Sequence, residues 1–137
     1  MSAIRTAGDP HPDFMKKILA ATLLLTTMSL HADGIIAVLK NPSSVERRDA
    51  KTGSFKGSIS VSNAISVGCD GETIAVLLAN GTVNRYNAQT GSFQGSISVS
   101  GKPTAVQVSG GVIAVTTERS LNRYNAKSGS YMGSSSL

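Results

Sequence analysis

Three arginines stand out as residues that could bind a ligand, because they recur at one spacing. They lie at positions 47, 85 and 123, so each is 38 residues from the next. Arg47, Arg85 and Arg123 could together line a surface for anionic ligands such as acidic glycans. In the alternative, each aliphatic stem covers an apolar neighbour while the guanidinium bonds a carbonyl or carboxylate of an adjacent repeat. Because the spacing is that of a whole repeat, it favours the structural interpretation.

The side chains of common enzyme and metal sites are sparse. Both histidines, His11 and His31, precede residue 33, so Ser-His-Asp and Cys-His arrangements and the usual zinc sites are excluded from residues 33–137. No phosphate-binding glycine loop is found. The carboxylates, whose oxygens would suit Ca²⁺, do not recur in register; they are Asp33, Glu46, Asp49, Asp70, Glu72 and Glu118. The sequence therefore predicts no catalytic residue, no metal site and no cofactor.

Net charge and cysteine content indicate which partners and which disulfides the chain can have. The net charge is +5, and a basic chain can bind nucleic acid. However, the lysines and arginines are scattered and no aromatic stacking platform accompanies them, so a solvated surface is predicted and nucleic acid is not expected as a partner. Cys69 is the only cysteine and cannot form an internal disulfide. It ends an apolar stretch, which predicts a small buried side chain.

Residues 15–32 have the layout of a secretory signal peptide. Two lysines are followed by an apolar run from residue 18 to about residue 30, and then by the small residue Ala32. The run is too short for a comfortable membrane span, which needs ~20 apolar residues, so no stable span is expected after cleavage. We expect Met15 to be the true start and residues 1–14 to be a non-native or disordered extension. Residues 33–137 would then be secreted or periplasmic.

Residues 33–137 are repetitive, and repetition at such a period can decide the whole fold. Three segments align without gaps, over residues 45–61, 83–99 and 121–137. An Ile-Ala-Val sequence lies upstream of each segment, beginning at Ile36, Ile74 and Ile113. The repeat units are therefore about 33–61, 62–99 and 100–137.

The middle unit is predicted to form four short antiparallel strands, over residues 64–69, 73–79, 82–88 and 92–99. The turn signals between them are Asp70-Gly71, Asn80-Gly81 and Gln89-Thr90-Gly91. The second strand is almost continuously apolar, which is typical of a strand covered on both faces. The fourth is rich in serine, as expected of an edge strand beside water. Four strands in roughly 40 residues is the size of one β-propeller blade.

Two further sets of side chains recur with the unit. The aromatic set is predicted to pack between blades; its members are Tyr86, Tyr124, Phe55, Phe93 and Tyr131. The other set lies just before the turns and is predicted to bond nearby backbone amides; its members are Asp49, Asn87 and Asn125.

The segment Val-Asn-Arg-Tyr-Asn-Ala-Gln-Thr-Gly-Ser-Phe-Gln-Gly-Ser-Ile, residues 83–97, resembles the repeat of NHL-type and related secreted bacterial β-propellers. In those repeats a strand of the form Val-x-Arg-Tyr-Asp is followed by a Thr-Gly turn. The segment is also similar to the quinoprotein-like propeller blade, although those blades usually dock through a tryptophan and this sequence has none. The resemblance covers residues 33–137. It implies an all-β propeller architecture but no particular activity, because propellers host many unrelated functions.

The number of blades bears on the partners. The first unit lacks its opening strand, so the units supply three, four and four strands. Propellers typically close with four to eight blades, so one copy is expected to form an incomplete ring. Three outcomes remain open: two copies in a six-bladed ring, a fragment of a longer propeller, or an open fan capped by another protein.

These features together predict a secreted, non-enzymatic binding or scaffold module whose ligand the sequence does not identify. The alternative is a fragment of a larger propeller enzyme, such as a lactonase or a quinoprotein-like dehydrogenase, whose catalytic residues lie outside this chain. A basic polyanion-binding protein is a third interpretation.

Overall fold

The computed structural model describes residues 34–137, which form eleven β-strands in three antiparallel sheets. Blade 1 contains β1 (Ile35–Asn41), β2 (Ser44–Asp49) and β3 (Phe55–Ser60). Blade 2 contains β4 (Ala64–Cys69), β5 (Thr73–Leu78), β6 (Thr82–Asn87) and β7 (Phe93–Ser98). Blade 3 contains β8 (Ala105–Ser109), β9 (Val112–Thr116), β10 (Ser120–Asn125) and β11 (Tyr131–Ser136). The predictions for residues 1–33, including the extension and the signal peptide, lie outside the described residues.

Within each blade, every strand pairs with the next strand along the chain. The four predicted strands of the middle unit agree with β4–β7 to within one residue at each end. Register identifies the first described strand of blade 1 as the equivalent of the second strand of blade 2. Leu39 of β1 lies opposite Val45 of β2, just as Leu77 of β5 lies opposite Val83 of β6. Among residues 34–137, no helix is long and apolar enough to cross a membrane.

The core lies between the blades rather than within them. One cluster of buried side chains joins blade 1 to blade 2 and includes Val45, Ile74 and Val76. A second joins blade 2 to blade 3 and includes Leu77 and Ile113. Strand β5 contributes to both clusters, and five of its six residues are buried. The predicted apolar strand covered on both faces is therefore confirmed.

The turns between the last two strands of each blade have one geometry. Asp49 Oδ1 accepts hydrogen bonds from the backbone amides two and three residues later, at 2.8 and 3.0 Å. Asn87 and Asn125 do the same in blades 2 and 3. The predicted role of these three side chains is confirmed. Each turn then passes through a glycine with φ between 76° and 80°, namely Gly53, Gly91 and Gly129, a conformation that glycine adopts without strain.

Candidate functional site: the interblade arginine contacts and the end faces

Arg47 links blade 1 to blade 2. Its Nη1 donates hydrogen bonds to the carbonyl oxygens of Ala88 and Gln89, at 3.2 and 2.9 Å, and both acceptors lie in the turn that follows β6. Its Nη2 donates to the carbonyl of Lys56 in its own blade, at 3.2 Å. One guanidinium therefore joins two sheets through backbone oxygens.

Arg85 makes the same contact between blades 2 and 3. Its Nη1 donates to the carbonyls of Ala126 and Lys127, at 3.2 and 2.8 Å, and its Nη2 donates to the carbonyl of Gln94, at 3.1 Å. The residue is 7% exposed, so it is covered by the two blades. Nε of Arg85 and of Arg47 is buried without a hydrogen-bond partner.

Two glycines make room for each guanidinium. A Cβ on Gly95, in the same blade, would lie 2.6 Å from Arg85 Nη2, and one on Gly129, in the next blade, would lie 3.1 Å from Nε. Arg47 is held in the same way between Gly57 and Gly91. The glycines of the repeat therefore serve the arginine contact as well as the turn.

The same contact is present in two separate halves at the ends of the stack. Within residues 34–137, Arg123 has no hydrogen-bond acceptor in a following blade, and its guanidinium lies beside Gly133 of its own blade. A Cβ on Gly133 would lie 2.9 Å from Arg123 Nη2. At the other end, no described atom lies within 4 Å of a Cβ built on Gly53. Arg123 is a donor without a receiving turn, and the Gly53 turn is a receiving site without an arginine.

The face of blade 1 that points away from blade 2, here called the leading face, carries Ile36, Val38, Glu46 and Arg48. Arg48 stands where the other blades have Tyr86 and Tyr124. Its Nη2 lies 2.9 Å from Glu46 Oε1, and Lys40 lies 3.5 Å from the same carboxylate. The hydrogen bond from Arg48 lowers the pKa of Glu46 below its ordinary value.

The face of blade 3 that points away from blade 2, here called the trailing face, carries Thr116, Leu121, Arg123 and Ser135. Register places Thr116 at the position of Leu77, and Ser135 at the position of Ile97. Both equivalents in blade 2 are buried against blade 3. Hydroxyl groups therefore replace aliphatic side chains where the stack ends.

A polar groove of about 460 Å³ lies beside the boundary of blades 2 and 3. Gln89 Nε2 donates to the carbonyl of Gly71 at 3.0 Å. The groove could hydrogen-bond a polar ligand, but among residues 34–137 no three His, Cys, Asp or Glu side chains come together to hold a metal ion. Its lining residues are Glu72, Thr73, Asn87, Gln89, Gln94 and Lys127.

The prediction for the aromatic set is correct for two of its five members. Tyr86 and Tyr124 are buried in the interblade clusters, as predicted. Phe55, Phe93 and Tyr131 are instead between 56% and 61% exposed. They begin the outer edge strands and pack within their own blade, edge-on against Tyr86 and Tyr124 or under Arg48. The interblade assignment of these three was wrong because an edge strand projects beyond the neighbouring sheet.

Sequence reasoning missed contacts near the innermost strands. Asp70 Oδ2 accepts a hydrogen bond from the backbone amide of Gly111 in the next blade, at 3.0 Å. A Cβ on Gly68 would lie 2.9 Å from the Cα of Gln107, so the two innermost strands meet backbone to backbone. The turn signal at Asp70-Gly71 indicated the hairpin but not this second bond.

Cys69 is partly buried in the cluster between blades 1 and 2, and its thiol donates to the carbonyl of Ile35 at 3.4 Å. Burial raises the pKa of the Cys69 thiol. The thiol is therefore protonated at neutral pH and behaves as the small packed side chain that the sequence predicted.

Neither a protein-family model nor a curated protein sequence matches the chain. Solved structures do. BamB from Moraxella catarrhalis is 20% identical with a TM-score of 0.62, over 77% of this chain and 34% of BamB. Hydrazine synthase from Kuenenia stuttgartiensis is 18% identical with a TM-score of 0.61, over 74% of this chain and 32% of that protein. The WD40 repeats of RRP9 are 16% identical with a TM-score of 0.62, over 74% of this chain and 35% of theirs.

These proteins differ in function, and at such identities the likeness concerns the fold alone. The chain spans about a third of the length of each. WD40 repeats form β-propeller blades, and the three stacked sheets of residues 34–137 correspond to such blades. Residues 34–137 form an incomplete β-propeller of three blades.

Proposed function

We propose that the chain is a secreted, non-enzymatic binding or scaffold module whose binding surfaces are its leading and trailing faces. The observation that carries the proposal is the divided arginine contact, that is, the donor Arg123 at one end of the stack and the equivalent receiving turn at Gly53 at the other. Inside the stack, Arg47 and Arg85 each donate hydrogen bonds to the turn of the next blade. At the ends of the described residues, Arg123 has no such turn to bond, and no arginine lies at the Gly53 turn.

The end faces also have the chemistry of surfaces that meet another protein. Val38 on the leading face and Leu137 beside the trailing face are 41% and 74% exposed. Val38 lies opposite Glu46, which pairs with Arg48, and the trailing face carries Thr116 and Ser135. Mixed surfaces of this kind are typical of non-obligate interfaces, whose apolar fraction is close to that of the remaining protein surface. A partner that supplies one more blade-like sheet would complete the bonds of Arg123 or of the Gly53 turn.

Photo-crosslinking in the source cells tests this proposal. A photoreactive residue placed at Val38 or Leu121 should capture a protein partner. The same residue at Phe93 is the matched control, because Phe93 is exposed but lies on the outer edge of blade 2. Capture at Phe93 with none at either end face would contradict the proposal.

Export is part of the proposal and has its own test. If residues 15–32 are a cleaved signal peptide, N-terminal sequencing of the exported product should begin at Asp33. A product that begins before Asp33 would contradict this processing.

A second function is supported by the length of the chain, because it spans only about a third of the length of each propeller protein that it matches. It would then be part of a larger propeller enzyme, such as a lactonase or a quinoprotein-like dehydrogenase, with the catalytic residues elsewhere. An antibody against residues 34–137 distinguishes the two functions. A product larger than 137 residues in the source cells supports the larger enzyme, and a product of this length or shorter supports the separate module.

A further inference from the structure

We propose that the partner of each end face is a second copy of this chain, joined head to tail, with Arg123 of one copy bonded to the Gly53 turn of the other. This inference rests on the proposed function and names the partner of the same surfaces. Two copies joined in this way at both ends would form one ring of six blades.

The receiving turn is already formed in the single chain. Inside the stack, the acceptors for the arginine are the carbonyls of the first two residues after the Asn or Asp of the turn. In blade 1 the equivalent carbonyls belong to Ala50 and Lys51, and Asp49 fixes that turn with the same two amide bonds as Asn87. Gly53 has φ 76°, against 80° for Gly91 and 78° for Gly129. An incoming arginine would therefore find the acceptor geometry that Arg47 and Arg85 already use.

The donor lies at the equivalent position of its blade. Arg123 lies opposite Gly133 in the register that places Arg85 opposite Gly95. Both glycines have positive φ, 130° and 135°, and leave space for the guanidinium over their own strand. Arg123 thus has the in-blade position of the contact beside its glycine. Among the hydrogen bonds of residues 34–137 it lacks the in-blade carbonyl bond that Arg47 and Arg85 make, as well as the bonds that a next blade would supply.

A second copy suits these two halves better than an unrelated protein. Donor and receiver lie on opposite ends of one chain, which is the arrangement of a head-to-tail interface, and such an interface closes into a ring when the rotation permits. Two chains of three blades give six blades, within the range of four to eight at which propellers close.

The innermost strands of the described blades are compatible with this contact. At the innermost position, blade 2 has Gly68 where blade 3 has Gln107, and only the glycine permits the close approach of two innermost strands. The described strands of blade 1 present no innermost strand to Gln107 of a second copy. The hydroxyl groups of Thr116 and Ser135 make the contact less apolar than those inside the stack, so we expect it to be reversible.

Sedimentation of the protein obtained by expressing the full chain, at protein concentrations from micromolar to hundreds of micromolar, tests the proposal. The expected result is a reversible equilibrium between one copy and two. Arg123→Gln should weaken association about tenfold to a hundredfold, the cost of losing charged hydrogen bonds. Arg119→Gln is the matched control: it removes the same charge from an exposed position of the same blade and should leave association unchanged.

Gly53→Asn blocks the other half. Asparagine tolerates positive φ and nothing described lies near its Cβ, so the single chain should keep its fold, which circular dichroism verifies, while association is lost. A mixture of the Arg123→Gln and Gly53→Asn chains retains one intact contact and should associate more tightly than either variant alone.

Three results would overturn the proposal. The native chain could stay monomeric at every concentration, the Arg123→Gln chain could associate as tightly as the native chain, or the mixture of variants could associate no more tightly than either variant alone. A monomeric chain that crosslinks to a different protein through Val38 or Leu121 would overturn this inference while leaving the proposed function intact.

Discussion

The contact between blades 2 and 3 and the trailing face of blade 3 use equivalent positions of one repeat, and they differ at four positions that pack against the next blade or bond to it. Inside the stack these positions hold Leu77, Ile97, Gly68 and Asp70. At the trailing face they hold Thr116, Ser135, Gln107 and Ser109. The arginine is retained at both, as are the alanine opposite it (Ala75 or Ala114) and an aliphatic side chain at the position of Val83 and Leu121. The comparison teaches that apolar burial and close backbone approach hold the blades of one chain together, whereas the arginine contact is the feature that the chain also presents at its end.

The leading face shows the same substitution of polar for apolar groups. Arg48, paired with Glu46, replaces the tyrosine that seals the interior contacts. Terminal units of repeat proteins commonly have a polar outer face that keeps the stack soluble. The retained half-contacts at both ends therefore contrast with surroundings adapted to water.

The largest expected difference between the two regions concerns the aliphatic side chains. Leu77 is completely buried between blades, so Leu77→Ala should lower the free energy of unfolding by about 3–4 kcal/mol. Thr116→Ala, at the equivalent position of the trailing face, should cost less than about 1 kcal/mol. Urea unfolding of both variants at low protein concentration measures the difference. Equal losses would mean that the trailing face is packed as tightly as the interior.

The arginines give the next largest difference. Arg85→Met removes three hydrogen bonds and leaves carbonyls of two blades without a donor, which should cost about 2–3 kcal/mol. Arg123→Met should change the stability of the single chain by at most about 0.5 kcal/mol, because no following blade receives it. The same urea experiment, performed on dilute protein, compares the two, and a large loss for Arg123→Met in a verified monomer would contradict the divided contact.

Close backbone approach gives a smaller difference. Gly68→Ala places a Cβ within 3.0 Å of the backbone of Gln107, so the innermost strands must separate slightly, at a cost of about 1–2 kcal/mol. Gln107→Ala shortens an exposed side chain of the trailing face and should be nearly neutral. Thermal unfolding of the two variants measures this. An unchanged melting temperature for Gly68→Ala would show that the strands are not in the contact described.

Much of the fold could be predicted from the sequence because most structural features recur in all three repeat units. Strand positions follow from turn signals at fixed offsets, and the burial of β5 follows from its continuous apolar run. The interblade bonds of Arg47 and Arg85 follow from their period, since a side chain that recurs once per blade meets the same neighbour each time. These are local or periodic signals, and a single sequence contains them.

What the sequence did not predict depends on which way a side chain points, or occurs only once. The recurrence of Phe55, Phe93 and Tyr131 is evident in the sequence, but their exposure depends on how far the edge strand extends beyond the next blade. The bond from Asp70 to the amide of Gly111 is not repeated at Ser109, so no periodic signal marks it. The half-contacts at Arg123 and Gly53 required the spatial order of the blades.

The smallest expected effect distinguishes the regions by pH. Burial alone would raise the pKa of Asp70, but hydrogen bonds from the amides of Thr73, Glu72 and Gly111 outweigh it and lower the pKa. A lowered pKa in the folded state means that the ionised carboxylate stabilises the fold at neutral pH. That stabilisation is lost as the pH falls from the ordinary aspartate pKa, about 4, toward the lower pKa of the folded state. Asp70→Asn should therefore lower the free energy of unfolding at neutral pH and make it decline less in acid.

Ser109→Asn, at the equivalent position of the trailing face, is the control and should leave the pH profile of stability unchanged. Urea unfolding across this pH range measures both profiles. Because Glu46 and Asp49 also have lowered pKa values and remain in every variant, the difference between the native and Asp70→Asn profiles isolates the interblade carboxylate. Parallel profiles would show that folding does not lower the pKa of Asp70.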